Sequence, residues 1–248
     1  MSKVLLLSSF IFMSSLLFAQ NLSEFKKLEF ITPQDTLPYR LLFPENIASD
    51  KKYPLVIFLH GSGERGRDNE QNLKYITDLF LNTANRNTFP AYVVVPQCPK
   101  DKRWAPQDWY GKVEEPASLV MTLLDSLVQH ESVDPNRIYL MGLSMGGFGT
   151  WYLITRFPNT FAAAVPICGG GDWNQAKALS HIPLWIFHGK KDEVVLPEQS
   201  RKMVHALKKA GAKPRYTEYK KVGHDSWTPA LKEPQLLNWL FNQHLSGN

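Results

Sequence analysis

The sequence predicts a single α/β domain in which helices cover both faces of a mostly parallel central sheet. Short, nearly continuous apolar runs alternate with stretches of helical period, and such runs are typical of strands buried on both faces. The 248 residues are 44% hydrophobic and 21% charged, an ordinary composition for a soluble globular protein. Because no repeat, low-complexity tract or linker interrupts the pattern, we expect residues 21–248 to form one domain.

Each element follows from a change of period along the chain. Two runs separated by a turn that contains proline and aspartate predict a pair of strands at the start, and Gly211 marks the end of a helix. The predicted strands occupy residues 28–33, 37–44, 54–60, 91–98, 137–144, 161–169, 183–189 and 214–222. The predicted helices occupy residues 69–82, 115–130, 145–157, 198–210 and 234–244.

The first twenty residues have the pattern of a secretory signal peptide. Lys3 precedes sixteen uncharged, mostly apolar residues that end at Ala19. The alternative is an N-terminal membrane anchor, but the run is shorter than the roughly 20 residues that a span needs. We therefore predict a signal peptide at residues 1–20, export to the periplasm or the cell exterior, and no stable membrane insertion after cleavage.

Charge and cysteine content exclude several partners. The formal net charge is +5, and without residues 1–20, whose only charge is Lys3, 27 basic against 23 acidic residues leave +4. This excess forms no basic block, so we expect no nucleic-acid partner. Neither the two cysteines nor the histidines have metal-ligand spacing, so we expect no metal and no cofactor.

The run 142–147 (GLSMGG) directly follows a predicted strand and begins a predicted helix, and it matches the pattern G-x-S-x-G. In this pattern a serine is held at a sharp strand-to-helix turn, where its neighbours must be small, as Gly142 and Gly146 are. The helix N-terminus adds amide groups and positive dipole at the same place. Ser144 is therefore the candidate nucleophile.

A serine hydroxyl needs a base to deprotonate it and an acid that orients the base. In the chain order that accompanies this turn, the acid and then the histidine follow the serine. The turn after the strand at 183–189 contains Asp192 and Glu193, of which we choose Asp192 and expect Glu193 to face solvent. His224 lies in the loop after the last strand and is the candidate base, whereas His60 and His188 are predicted to be structural.

The developing oxyanion needs two hydrogen-bond donors. One is predicted to be the amide of Met145, which follows the candidate nucleophile. The other is predicted to be the amide of Ser62, in the glycine-rich loop after the third strand. Other polar residues of this loop either brace it or contact substrate, and the sequence leaves both open for Glu64, Arg65, Asp68 and Asn69.

Taken in order, these motifs resemble those of the α/β-hydrolase superfamily, in particular its branch of small secreted carbohydrate esterases, polyhydroxybutyrate depolymerases and predicted peptidases. The resemblance covers essentially the whole of residues 21–248. It implies a Ser144–His224–Asp192 triad and a serine hydrolase that cleaves carboxylic esters through an acyl-enzyme, with a serine peptidase as the alternative. The matching motifs are HGSGERGRDN (60–69), RWAPQDW (103–109), GLSMGG (142–147), HGKKDEVV (188–195) and GHDSW (223–227).

Only about thirteen residues, 170–182, separate the sixth and seventh predicted strands, too few for a lid domain. We therefore expect an open site for a small-molecule or polysaccharide-linked ester, whereas the oligomeric state stays unknown. Aromatic residues in loops can stack on sugar or phenolic rings, although loop packing is the alternative for each. The candidate substrate contacts are Trp104, Trp109, Trp173 and Trp227.

In the sheet order that the resemblance implies, two strands separate Cys98 from Cys168. Three inter-strand steps of about 4.8 Å place them roughly 14 Å apart, too far for a disulfide. We therefore predict two free, buried thiols.

Overall fold

The computed structural model describes residues 22–33, 35–106, 109–110 and 116–245. The predicted signal peptide at residues 1–20 lies outside the described residues. The described chain forms an eight-stranded sheet with the order β1-β2-β4-β3-β5-β6-β7-β8. Its strands are β1 (Phe25–Ile31), β2 (Thr36–Leu42), β3 (Tyr53–Leu59), β4 (Tyr92–Pro96), β5 (Val133–Leu143), β6 (Ala163–Ile167), β7 (Trp185–Gly189) and β8 (Arg215–Tyr219).

All eight predicted strands are confirmed, and so is the α/β fold class. Strand β2 pairs antiparallel with β1 and with β4, and every other neighbouring pair is parallel. The helices are α1 (Thr77–Leu81), α2 (Thr83–Thr88), α3 (Ala117–His130), α4 (Met145–Arg156), α5 (Glu198–Lys209), α6 (Trp227–Leu231) and α7 (Leu236–Phe241).

The single helix predicted over 69–82 is wrong. The chain there contains a 3-10 turn at Gln71–Leu73 and only then the short α1. Asn69 has a positive φ of 54°, and the Asn72 amide donates to the carbonyl of Val95 at 2.7 Å. Asparagine side chains that bond the backbone elsewhere compete with helix formation, which a hydrophobic period does not reveal.

The core consists of two apolar layers, one on each face of the sheet. In β3, Leu55 and Ile57 pack into one layer and Val56 and Phe58 into the other. Helices α3, α4 and α5 contribute to the first layer, and α1, α6 and α7 contribute to the second. A central strand must therefore be apolar at every position, which explains the continuous apolar runs in the sequence.

None of the described helices is both long enough and apolar enough to cross a membrane. Cys98 and Cys168 are free and buried, as predicted, because β3 and β5 lie between the strands that they follow.

The parallel strands β3, β5, β6, β7 and β8 end at the same edge of the sheet, so the loops that follow them meet there. At this edge α4 begins in direct contact with the sheet. A Cβ atom at Gly146 would lie 1.9 Å from the carbonyl oxygen of Leu59, and one at Gly142 would lie 2.3 Å from the carbonyl oxygen of Gly146. Only glycine permits so close an approach at these two positions.

Replacement of Gly146 by alanine should therefore destabilise the fold. We expect the free energy of unfolding to fall by about 3 kcal/mol or more, since the added methyl group meets backbone that cannot move aside. Urea denaturation followed by tryptophan fluorescence measures this change. Gly63→Ala is the matched control, because a Cβ there meets nothing within 4 Å, and equal losses in the two variants would contradict the packing argument.

Candidate active site

Ser144 lies between the last residue of β5 and the first residue of α4. Its backbone has φ 52° and ψ −115°, a strained conformation for a residue with a side chain. The amide of Ser144 donates to the carbonyl of Ile167 in β6 at 2.9 Å. The strained turn that G-x-S-x-G predicts is thus observed, and it places the hydroxyl at the edge where the loops meet.

The loop after β8 brings His224 to this hydroxyl. The distance from Ser144 Oγ to His224 Nε2 is 2.9 Å, and the distance from His224 Nδ1 to Asp192 Oδ2 is 2.8 Å. Since a carboxylate only accepts, Nδ1 carries a proton and Nε2 is left to accept the proton of the hydroxyl. The three side chains form a continuous hydrogen-bonded chain with the geometry of a Ser-His-Asp triad.

Asp192 is buried, with only 2% of its surface exposed. Burial raises the pKa of its carboxyl group, but hydrogen bonds from His224 and from the amides of Val195 and Val194 outweigh burial, so the pKa is lowered. Both amides lie 2.9 Å from Oδ1. Asp192 therefore stays ionised, whereas Glu193 is exposed, as predicted.

His188 is a neighbour of the triad whose contact with Asp192 was not predicted. Its Nε2 lies 2.8 Å from the carbonyl oxygen of Val195 and 3.2 Å from Asp192 Oδ2. Its Nδ1 lies 2.7 Å from the hydroxyl of Ser200. Because a carbonyl only accepts, Nε2 carries the proton and Ser200 donates to Nδ1. No sequence pattern indicates this contact, because a spacing of four residues brings side chains together only within a helix, and residues 188–192 are not helical.

Burial is the main cause that lowers the pKa of His188, although the hydrogen bond to Val195 and the charge of Asp192 oppose it. His188 is therefore neutral at pH 7. Asp192 Oδ2 thus contacts two imidazole groups, of which His188 is fixed by three partners and His224 contacts Ser144.

The two residues predicted to supply the oxyanion donors line the same pocket as Ser144. Met145 is the first residue of α4, and Ser62 is the first residue of a 3-10 turn, Ser62–Glu64. Amides at these positions have no acceptor within their own helix. A Cβ atom at Gly61 would lie 3.7 Å from the Cβ atom of Ser144, so the Gly61–Ser62 backbone passes directly beside the nucleophile.

His60 holds this loop in place. Its Nδ1 lies 2.6 Å from the carbonyl oxygen of Gly61, and its Nε2 accepts a hydrogen bond from the amide of Cys98 at 3.0 Å. Burial lowers its pKa to about 4, so the ring is neutral and donates from Nδ1 only. The structural role predicted for His60 is observed.

Three of the four polar residues whose role the sequence leaves open hold this loop in place. Glu64 is buried 3.8 Å from the ammonium of Lys74, Asp68 accepts hydrogen bonds from Gln97 and from two backbone amides, and Asn69 donates to two strand carbonyls. These three brace the loop. Arg65 instead reaches the pocket that contains Ser144.

That pocket has a volume of about 510 Å³ and contains Ser62, Ser144 and Met145 together with Trp109 and Phe148. Trp109 and Phe148 also line a second hollow of about 380 Å³, whose rim includes the exposed Trp173. Two of the four predicted tryptophans therefore lie along one continuous surface that leads away from the nucleophile.

Trp227 and Trp104 line neither of these two hollows. The ring of Trp227 contacts His224 edge to face, with 5.3 Å between ring centroids, and thus packs against the base. Trp104 has no exposed surface, and its indole donates to the carbonyl of His60 at 2.9 Å. The prediction of a substrate contact at Trp104 is wrong, because the fold needs its side chain to fill the core beneath the loop.

Cys168, Asp192 and His224 place potential metal-ligating atoms within 4.8 Å of one another. Burial raises the pKa of the Cys168 thiol to about 12, so the sulfur stays protonated and is a poor metal ligand. Asp192 and His224 already bond each other. These residues fit a triad better than a metal site.

An eight-stranded sheet with parallel central strands and a serine at the strained turn between β5 and α4 defines the α/β-hydrolase class. Residues 46–235 match the model of the Phospholipase/Carboxylesterase family. The protein therefore belongs to this family of α/β-hydrolases.

Two curated relatives and one solved structure add detail. The bifunctional acetylxylan esterase/xylanase XynS20E of Neocallimastix patriciarum is 26% identical over 63% of this chain and 21% of its own length. The poly(3-hydroxyalkanoate) depolymerase C of Paucimonas lemoignei is 28% identical over 67% of this chain and 40% of its own. A thermostable esterase superposes with a TM-score of 0.85 at 39% identity, over 90% of this chain and 64% of that one. The chain thus spans less than two thirds of each.

The strain at Ser144 leads to a prediction about stability. The free energy of unfolding of Ser144→Gly should be about 1 kcal/mol higher than that of Ser144→Ala. Glycine relieves about 1 to 3 kcal/mol of backbone strain, and this gain exceeds the cost of its greater chain entropy in the unfolded state. Urea denaturation of both variants measures the difference. Ser126 lies within α3 and provides the control. There the glycine variant should have a free energy of unfolding about 1 kcal/mol lower than the alanine variant. The same order at both positions would contradict the strain.

Proposed function

We propose that this protein is a carboxylic-ester hydrolase in which Ser144 is the nucleophile, His224 the general base and acid, and Asp192 the residue that orients the base. The hydrogen-bonded chain from Ser144 Oγ through His224 to Asp192 carries the proposal. Membership of the Phospholipase/Carboxylesterase family and likeness to proteins named as esterases support it.

In the acylation half, Ser144 Oγ attacks the ester carbonyl carbon while His224 Nε2 takes the hydroxyl proton. The carbonyl oxygen becomes an oxyanion, which accepts hydrogen bonds from the amides of Met145 and Ser62. When the tetrahedral intermediate collapses, the C–O bond to the alcohol breaks and His224 returns the proton to the departing oxygen. The product of this half is an acyl-enzyme on Ser144.

In the deacylation half, His224 removes a proton from water, which attacks the acyl carbon. Collapse of the second intermediate releases the acid and returns the proton to Ser144 Oγ. Both halves pass through a positively charged His224, which the ionised Asp192 stabilises at 2.8 Å. Because His188 donates toward the same oxygen at 3.2 Å, Asp192 cannot rotate without losing a hydrogen bond.

The shape of the site favours short or aromatic acyl groups, and an acyl group carried on polysaccharide is our preferred substrate. The connection between β6 and β7, residues 168–184, holds only one short turn, Trp173–Gln175, so it encloses no deep tunnel. The pocket continues past the half-buried Trp109 to the exposed Trp173, whose ring offers a stacking surface for a sugar. We further propose that residues 1–20 direct export, so that the enzyme meets its substrate outside the cytoplasm.

The nucleophile provides the direct test. Ser144→Ala should lose hydrolysis of para-nitrophenyl acetate, because no other described hydroxyl lies within hydrogen-bond distance of His224 Nε2. A serine-directed fluorophosphonate should label the wild-type protein only, as intact mass spectrometry measures. Retention of more than a few per cent of the activity, or labelling of the variant, would show that another residue is the nucleophile.

The choice of carboxylate has its own test. Asp192→Asn should lower kcat by about 10⁴-fold, the size of the same change in serine proteases, because the amide stabilises the wrong tautomer of His224. Glu193→Gln is the matched control and should change kcat little, since Glu193 is exposed. Steady-state kinetics with para-nitrophenyl acetate measure both variants. A large loss of kcat in Glu193→Gln with little change in Asp192→Asn would identify Glu193 as the acid.

The absence of an enclosing lid between β6 and β7 predicts a trend with acyl length. kcat/KM for para-nitrophenyl esters should fall from acetyl or butyryl to decanoyl, without a jump in rate above the solubility limit. A deep apolar tunnel would instead add up to about 0.8 kcal/mol of binding for each methylene group. A steady rise in kcat/KM toward the decanoyl ester would therefore contradict this proposal and indicate a lipase.

A serine peptidase with the same triad is the alternative. Esters have better leaving groups than amides, which favours ester hydrolysis at an open triad. Parallel assays with acetylated xylan, methyl ferulate and peptide anilides separate the two, and cleavage of the anilides alone would favour the peptidase.

A further inference from the structure

The pocket around Ser144 contains two arginines that the triad does not use. Arg65 comes from the loop after β3, and Arg103 from the chain that follows β4. Both line the pocket of about 510 Å³ that holds the nucleophile, and no acidic residue lines it within the described part of the chain. A neutral ester does not require two cations beside its carbonyl carbon.

Most other arginines of the described chain are paired with carboxylates. Their guanidinium groups lie between 2.6 and 3.2 Å from the nearest carboxylate oxygens. The arginines that pair with carboxylates are Arg67, Arg86, Arg137 and Arg201. Arg103, in contrast, is exposed, and among the described residues it has neither a salt bridge nor a hydrogen-bond acceptor.

Arg65 donates hydrogen bonds to two backbone carbonyls, but these bonds use only some of its N–H groups. Its Nε donates to the carbonyl of Ser62 at 3.0 Å, and its Nη1 donates to the carbonyl of Lys102 at 3.4 Å. A guanidinium carries five N–H donors, so the Nη2 group remains for a ligand. The two carbonyls hold the guanidinium beside the predicted oxyanion donor without neutralising it.

The neighbouring hollow has a different charge. It shares Trp109 and Phe148 with the pocket of Ser144, but its lining includes the carboxylate of Asp172 and neither arginine. Of these two pockets, the two arginines therefore line only the one that contains Ser144. Arginine binds carboxylates through paired N–H groups at fixed geometry.

From this arrangement we infer that the preferred substrate is an ester that itself bears a carboxylate close to the scissile bond, and that Arg65 and Arg103 bind this carboxylate. The inference rests on the proposed ester hydrolysis and names its substrate class. The carboxylate belongs either to the acyl part or to the alcohol part, and substrates of both kinds distinguish the two.

The test compares rigid esters that differ only by a carboxylate or an uncharged amide. On the alcohol side the pair is meta-acetoxybenzoate and meta-acetoxybenzamide, and on the acyl side it is monomethyl terephthalate and methyl para-carbamoylbenzoate. For each pair the readout is the ratio of kcat/KM for the anionic ester to that for the amide. Because both members are assayed with the same enzyme, any change in folding or in the triad cancels from the ratio.

The wild-type enzyme should prefer the anionic member of at least one pair by about tenfold, the lower end of what hydrogen bonds to a charged group supply. The preference should shrink as salt rises from about 20 mM to about 0.5 M, since both arginines are accessible to solvent. The double variant Arg65→Gln/Arg103→Gln should bring the ratio to about one. Arg103→Lys should retain part of it, because the charge remains and the paired geometry is lost.

Arg137→Gln is the matched control, because it removes the same charge near the opposite end of β5, where Arg137 pairs with Asp134 at 2.7 Å. Its ratio should equal that of the wild type. A wild-type ratio of one or less in both pairs, or a ratio that the double variant leaves unchanged, would overturn the inference while the ester hydrolysis stands. Failure to hydrolyse any of the four esters or para-nitrophenyl acetate would instead overturn the proposed function.

Discussion

The strained turn at Ser144 is the constraint on which the rest of the site depends. A residue with a side chain at φ 52° and ψ −115° persists only where its surroundings hold it. Here the carbonyl of Ile167 accepts the Ser144 amide, and Gly146 lies against the carbonyl of Leu59 too closely for any side chain. The same turn places the hydroxyl beside His224 and begins α4 at Met145.

The charges of the site follow from burial around Asp192. A buried carboxylate is costly unless hydrogen bonds satisfy it, and here two backbone amides and His224 lower its pKa despite burial. His188 packs against the same oxygen as a neutral ring, since burial lowers its own pKa. The arrangement keeps the ionised Asp192 next to His224, where a positive charge forms in both halves of the proposed reaction.

The surface around the nucleophile divides into parts with different chemistry. Beside Ser144 the pocket carries Arg65 and Arg103, and farther out Trp173 is exposed at an aromatic rim. Such a surface suits a polar, ring-containing substrate better than a long alkyl chain, because it offers charge and stacking rather than depth. The proposals on acyl length and on a substrate carboxylate therefore derive from separate features of one open cleft.

The sequence by itself determined the fold class and the eight strands, and it indicated Ser144, Asp192 and His224 as candidates for a triad, because these depend on local signals: apolar runs, turns, and polar residues placed directly after strands. It failed over 69–82, where asparagine side chains bond backbone from distant strands, and at Trp104, which a loop position indicated as exposed. Only the tertiary structure decided that Trp104 fills the core, that His188 contacts Asp192, and that Arg65 and Arg103 line one pocket. These outcomes depend on distances between segments far apart in the chain, which no local pattern encodes.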